Sequence, residues 1–366
     1  MSASSSKEME VDASVGADID EALYSRQLYV LGKDSMSKLA AASVLIVGAS
    51  GLGVEIAKNV ILSGAKEVII HDNSLVTHTD LSSNPFITEE MVGKNKAHAC
   101  VSQLAELNHY VSVSARTGPL ENEILAQQTV VVLTNTPASE QIPINKFCRE
   151  NGVKFISTEA RGVFGYIFVD FCDNFEVGDA TDLEAAFGII DSVTNEENGT
   201  VCVPEGKRHN LSDGDVVTFL NVEGMSELNG REFRVTVSDS GAFRIGDTRE
   251  FGRYTGGGYF QQIKQPVNFH FKSLEDCLEN PPVVYASGCA INPFAQHLAF
   301  RALHAYQSSH GFCLPNPVNL EGTEEMLGFG QTLKGEPLDE EEERAIRLLG
   351  RVACGACEGV GFSSAL

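Results

Sequence analysis

The chain has no apolar run approaching the ~20 residues that a membrane-spanning helix requires, and no signal-like stretch opens it. It is short of positive charge: 27 Lys and Arg stand against 50 Asp and Glu in 366 residues, a formal net charge of −23. Nucleic acids and anionic membranes are held through a basic face that releases counterions, so this balance argues against both as partners. A basic protein partner suits it, and so does plain solubility. A cysteine framework is also missing. Nine cysteines fall at irregular spacing, an odd count that fits a reducing compartment, and the expected location is cytoplasm and nucleus. Only Cys354 and Cys357 form a C-x-x-C pair; structural zinc takes four ligands and no second pair exists, so no metal is expected.

With 43% hydrophobic and 21% charged residues, the chain is long enough for two or three well-buried cores. Residues 1–20, rich in Ser, Glu and Asp, read as a disordered acidic tail. From 21 to 172, apolar strands (Val44–Val47, Val68–Ile70, Val130–Leu133, Lys154–Ser157, Tyr166–Phe171) alternate with helical stretches (Met36–Ala41, Val54–Ser63, Gly93–Leu107, Glu121–Ala126, Ser139–Asn151). That order predicts an α/β, Rossmann-like fold: a mostly parallel sheet with helices on both faces. Helical periodicity then stops. An acidic connector (Asp179, Asp182, Glu184, Asp191, Glu196, Glu197) leads into short strands at Val216–Val222, Glu232–Val237, Ala242–Ile245 and Gly258–Ile263, separated by glycine turns. Residues 173–265 are therefore expected to be a small all-β insertion, a barrel or sandwich. Helices resume in 266–366. Asn292 and Pro293 have the character of an N-cap and first helical residue, ahead of a face formed by Phe294, Leu298, Ala302 and Ala305. A last helix, Leu338–Val352, carries Asp339–Glu343 first and Arg344, Arg347 and Arg351 later, the order the helix dipole favours.

The segment with the most chemistry is Val44–Gly53, VLIVGASGLG: a strand, three glycines, then an amphipathic helix ending at Gly64. Val68–Ile70 follow and lead to Asp72. Glycines allow backbone to approach a phosphate, a helix N-terminus offers free N–H groups, and a strand-end acid reaches a ribose hydroxyl. The spacing of Gly48, Gly51 and Gly53 is G-x-x-G-x-G, whereas the dinucleotide fingerprint is G-x-G-x-x-G. The loop alone leaves open nucleotide binding or mere strand–helix packing.

Five segments agree in order and spacing with a known family: Tyr24–Gly32 (YSRQLYVLG), Gly51–Asn59 (GLGVEIAKN), Asp80–Asn84 (DLSSN), Glu89–Ala97 (EEMVGKNKA) and Glu159–Gly165 (EARGVFG). Together, over about residues 21–310, they closely resemble the N-terminal half of the ubiquitin-activating enzymes, the E1 family. The resemblance implies one of two adenylation domains that pack as a pseudo-dimer. The C-terminal copy uses ATP and magnesium to adenylate the ubiquitin C-terminus, and a catalytic-cysteine domain then takes ubiquitin as a thioester. This chain resembles the inactive copy, with residues 173–265 matching the first half of the catalytic-cysteine domain, which lacks the nucleophile and helps to hold ubiquitin. The bacterial molybdopterin and thiamine relatives lack that insertion.

Residue by residue, the resemblance implies a site that has lost its chemistry. Ser83 stands where active copies carry a phosphate-binding arginine, Asn135 where they carry a magnesium-ligating aspartate, and Ser50 where glycine is usual. Gly48, Gly51, Gly53, Asp72 and Lys96 remain as a vestigial nucleotide site, with a strand-end cap and a surface lysine as the alternatives for Asp72 and Lys96. Arg26 is the expected catalytic contribution, reaching in trans towards the ATP phosphates of the partner copy. Expected partners are ubiquitin, the active adenylation domain and, in the whole enzyme, ubiquitin-conjugating enzymes. No cofactor is expected to bind this chain tightly. Cysteines 100, 148, 172, 202, 277, 289 and 313 sit in no matching motif and read as incidental thiols; His209 and His270 have no partner arrangement. Two other functions stay in view: a free-standing regulatory subunit of a heterodimeric activating enzyme, and, remotely, an NAD-dependent oxidoreductase.

Overall fold

A computed structural model describes residues 20–180, 183–282, 292–316 and 320–353. Residues 1–19 of the expected acidic tail 1–20, together with Asp182, Cys289, Cys354 and Cys357, lie outside the described residues. By contacts the chain divides into a unit of residues 1–172 with 271–366, and a second unit of residues 173–270.

In the first unit the elements run α1 (Ser25–Ala40), β1 (Ser43–Val47), α2 (Gly51–Ser63), β2 (Glu67–His71), α3 (Lys96–Ala105), β3 (Ser112–Arg116), α4 (Asn122–Ala126), β4 (Val130–Thr134), α5 (Ala138–Glu150), β5 (Lys154–Arg161) and β6 (Phe164–Asp170). They form one six-stranded sheet in the order β3-β2-β1-β4-β5-β6. The first five strands are parallel and β6 returns antiparallel on β5. Alternation sorts β1 and β2 between two cores. Val44, Ile46, Val68 and Ile70 pack with Val54, Ala57 and Ile61 of α2 and Cys100 and Leu104 of α3. Leu45 and Ile69 turn the other way, with Val131 and Phe155, onto Leu125 of α4 and Cys148 of α5. Strand order reverses between β1 and β4, so the crevice at their carboxyl ends is where an open α/β sheet offers a ligand site.

The second unit holds β7 (Phe175–Val177), β8 (Phe187–Ile189), β9 (Ser192–Val193), β10 (Thr200–Cys202), β11 (Val216–Leu220), β12 (Glu232–Arg234), β13 (Thr236–Asp239), β14 (Ala242–Arg244), β15 (Tyr259–Ile263) and β16 (Val267–Phe269). Two four-stranded antiparallel sheets, β13-β14-β10-β9 and β12-β11-β15-β8, enclose one core that includes Val217, Phe219, Phe243 and Phe260. The run expected as a single strand, Glu232–Val237, serves both sheets. Val235 is buried at the break, bonded to Gly214 and Asp215 across the turn. Pairing of β7 with β16 carries the unit to His270, five residues beyond the expected boundary.

Returning to the first unit, α6 (Leu274–Glu279), α7 (Pro293–Ser309), α8 (Glu321–Lys334) and α9 (Glu340–Val352) follow. Asn292 caps α7, its side chain accepting from Phe294 N–H at 3.0 Å, and α9 starts on a capping box between Asp339 and Glu342. Phe294, expected on the buried face of α7, is exposed, and Ala295, Ala299, Leu303 and Tyr306 join Leu298 and Ala302 in the core instead.

Candidate functional site

Beyond β1 the chain turns through Gly48, at φ +99°, and enters α2 at Gly51. Gly48 N–H donates to the His71 carbonyl at 2.8 Å, tying the turn to the end of β2. A Cβ on Gly48 would run into Thr134 at the end of β4, and one on Gly53 into the Gly48 carbonyl. These two glycines are thus demanded by packing among turn, helix and β4, whatever the turn binds. Ser50 at the N-cap makes no side-chain capping bond, so α2 does not close its own first turn.

Asp72 sits half-buried just past β2. Its Oδ2 accepts from Ala49 N–H at 2.7 Å, and its Oδ1 from the N–H and hydroxyl of Ser74 at 2.7 and 2.5 Å. The carboxylate therefore staples the glycine turn to the loop after β2. Lys96 is not on the surface. Its side chain is 1% exposed, and its ammonium stands 3.0 Å from Oδ1 of Asp80, itself 3% exposed. Asp80 Oδ2 accepts from both the N–H and the hydroxyl of Thr77 at 2.7 Å. Asp80 begins the short turn that leads to Ser83 and Asn84. There the Asn84 amide donates to the Ala49 carbonyl at 3.0 Å, and a Cβ on Gly51 would stand 2.9 Å from the Ser83 carbonyl. Residues 80–84 thus lie against the glycine turn. Asp80 and Asn84 were legible only as letters of a motif; no periodicity marked them as the groups that fasten it.

Asn135 follows β4 with φ +50°, and its side-chain oxygen accepts from Ala160 N–H at 3.2 Å. Arg26 lies elsewhere, in the first turn of α1, exposed and with no ion pair among the described residues. Nearby Tyr24 anchors this helix: its ring fills the space where a Cβ on Gly64 would stand (2.9 Å), and its hydroxyl accepts from the Asn108 amide at 2.7 Å. Tyr29, Val30 and Leu31, on the same helix as Arg26, are exposed, at 91%, 77% and 50%.

A second polar cluster escaped sequence reasoning. Glu159 and Arg161, two apart on β5 and so on one face, are both buried, with Arg161 Nε donating to Glu159 Oε1 at 2.7 Å. His304 of α7 donates from Nε2 to the other oxygen at 2.6 Å. Burial pushes the Glu159 carboxyl up, but the His304 hydrogen bond and charge, with Arg161, outweigh it and hold the group below its ordinary value. Burial also raises the neighbouring Tyr166 phenol to about 12. The two-residue spacing of the acid and base was a readable signal; the histidine, far along the chain, was not.

The remaining polar candidates are structural. His209 accepts from Leu211 N–H at Nδ1 and donates from Nε2 to the Asp239 carbonyl at 2.7 Å; His270 bonds the Asp173 carbonyl. Cys100 and Cys148 are buried, and burial pushes each thiol up to about 12, far from a reactive thiolate. Among the described residues no group of three or more His, Cys, Asp or Glu is arranged to hold a metal ion, and no helix is long and apolar enough to cross a membrane.

Three family models match consecutive stretches: the ThiF family over residues 24–200, the ubiquitin-activating enzyme E1 FCCH domain over 196–264, and the ubiquitin-activating enzyme E1 four-helix bundle over 265–334. The chain is 41% identical over 346 residues to human ubiquitin-like modifier-activating enzyme 1, covering 93% of this chain and 33% of that protein. It is 42% identical over 316 residues to ubiquitin-activating enzyme E1 1 of Schizosaccharomyces pombe, covering 86% and 31%. The chain belongs to the ubiquitin-activating enzyme E1 family. It corresponds to the N-terminal portion of those enzymes, and spans about a third of the length of the curated relatives it matches. Among solved structures, Escherichia coli MccB with MccA-N7isoASN is similar at a TM-score of 0.37 and 24% identity, over 43% of this chain and 49% of that one.

The E1 family implies ATP and magnesium, and the residues of this portion fit that pair poorly. A triphosphate needs facing cations, whereas Lys96 is committed to Asp80 and Ser83 is neutral. Magnesium prefers an anionic oxygen, whereas Asn135 offers a neutral one already bonded to Ala160.

Proposed function

We propose that this chain is the non-catalytic N-terminal part of a ubiquitin-activating enzyme, whose whole activates ubiquitin by ATP-dependent adenylation and thioester formation. The observation that carries the reading is the run of three consecutive family matches across residues 24–334, two of them described as E1 domains. In this role the glycine-turn domain is a scaffold, with Gly48, Gly51, Gly53, Asp72 and Lys96 the remnant of a nucleotide site. ATP and magnesium belong to the other adenylation domain. Residues 173–265 supply part of the surface for ubiquitin, and ubiquitin-conjugating enzymes are partners of the whole enzyme, in cytoplasm and nucleus.

Arg26 is the residue through which this part reaches the chemistry. It is exposed, unpaired among the described residues, and carried on a helix whose Tyr29, Val30 and Leu31 present apolar surface for an apposed domain. An arginine supplied in trans to a phosphate undergoing transfer stabilises the developing charge, with effects of roughly 10³-fold or more in phosphoryl transfer.

The test is ATP–pyrophosphate exchange with ubiquitin. The chain alone is expected to give none, and exchange well above background overturns the reading. With the C-terminal adenylation domain supplied, exchange is expected to appear. Arg26→Ala should then slow it at least about tenfold while leaving ubiquitin affinity nearly unchanged.

A further inference from the structure

The geometry points to the hollow between α6, α7 and α8 as a docking site for a peptide segment of a partner, one with an acidic side chain beside large apolar ones. No residue lining it belongs to α1 or to the glycine turn, so the inference stands independently of the reading above. The hollow has a volume of about 410 Å³, within the ~300–1,000 Å³ that ligand pockets span. Its walls are largely apolar: Pro281 beyond α6, Phe294 and Leu298 of α7, and Leu333 near the end of α8. Phe294 and Leu333 remain exposed, at 47% and 36%. Concave apolar surface left in water is surface that a partner covers.

The charges in the hollow are settled with one exception. The Lys334 ammonium meets Glu342 Oε2 at 2.5 Å and the Pro337 carbonyl at 3.2 Å. His297 donates from Nε2 to the Leu278 carbonyl at 3.0 Å. Burial, reinforced by the Arg301 charge and opposed by the Leu278 bond, holds this imidazole below its ordinary value, so it is neutral at pH 7. Glu279 is exposed at the rim and forms no ion pair with Arg301. Arg301 itself is half-buried, with no hydrogen bond or ion pair among the described residues. Such a guanidinium has lost part of its hydration without a counter-charge in return, and its planar fork fits a carboxylate through two hydrogen bonds. Charge complementarity therefore calls for an anion, and the walls call for hydrocarbon beside it. A polypeptide segment supplies both, and its backbone has an open side to run along, past the exposed Asn280, Phe294 and Leu333.

The experiment titrates the 366-residue chain with acetyl-Leu-Asp-Phe-amide, and with the same peptide carrying Asn for Asp, by calorimetry and amide chemical shifts. The Asp peptide is expected to bind at least about tenfold tighter, the worth of a hydrogen bond to a charged group, with shifts centred on Phe294–Arg301. Arg301→Met keeps an apolar stem and should bring the two affinities within about twofold of each other. Phe294→Ala, at the rim, should weaken both peptides and leave their ratio unchanged. No saturable binding of the Asp peptide, equal affinities in the unaltered chain, or a preference that survives Arg301→Met each overturns the inference. So does 4-phenylbutanoate binding as tightly as the Asp peptide, which would make the ligand a free small acid. Where Arg301→Met does not fold, the Arg301 Nε–H resonance of the unaltered chain is read instead. The Asp peptide must shift it and the Asn peptide must not; an unmoved resonance overturns the inference.

Discussion

Glu159 is a carboxylate almost entirely out of water, and it stays charged because Arg161 and His304 each give one of its oxygens a hydrogen bond. The folded group titrates below its ordinary value of 4.5, so on acidification the unfolded chain takes up the proton first. Its contribution to stability is therefore complete above the ordinary value and lost as pH falls through the lower, folded one. Glu159→Gln should destabilise the chain at neutral pH by about 3–5 kcal/mol, because it leaves Arg161 and His304 buried without their anion. Urea titrations at several pH values should also show a shallower loss of stability on acidification in the variant; an unchanged acid slope would remove Glu159 as its source. At this scale sequence reasoning found residues but not surroundings. Lys96 was a letter in a motif, with a surface position as one reading, and only the fold sets its ammonium against Asp80 in the interior.

Among elements, α1 shows how local signals and tertiary contacts divide the work. The expected helix began at Met36, whereas α1 starts at Ser25 and is interrupted at Gly32, where φ is +78°. Glycine lowers helix propensity, so the first turns look weak in sequence; docking of Tyr24 on Gly64 and Asn108 compensates. Gly64→Ala combines φ +91° with a Cβ 2.9 Å from the Tyr24 ring and should cost about 1–3 kcal/mol. Faster amide exchange is expected across Ser25–Ala40, with β1, β2 and β4 keeping their protection; uniform loosening of the whole domain would contradict this local anchoring. Several elements carry no clear sequence signal, β3 and α8 among them. β3, SVSAR, is an edge strand with partly exposed residues and little apolar signal. α8 contains three glycines, at 322, 328 and 330, and reads as a poor helix former. In the fold, a Cβ on Gly330 would meet Ile346 of α9 at 2.6 Å and one on Gly322 would crowd Tyr306 of α7, so two of the glycines are what lets the helices approach.

For the whole molecule, the division into two units has a direct consequence. Residues 173–270 have a core of their own, with fourteen buried apolar residues drawn from both sheets. A polypeptide of those residues alone is expected to fold and to unfold in one cooperative step, followed by circular dichroism and dispersed amide resonances. A non-cooperative, poorly dispersed product would mean that the insertion depends on its host. The sequence by itself determined the alternation of strand and helix, the glycine turn, the β-rich insertion and the family, because these depend on period, turn chemistry and the order of short motifs. Only the tertiary structure decided where β6 turns antiparallel, which charges are buried together, and that the glycine turn is covered by residues 80–84. Those outcomes join residues far apart in the chain, such as Glu159 with His304, through packing and desolvation, and no local pattern records them.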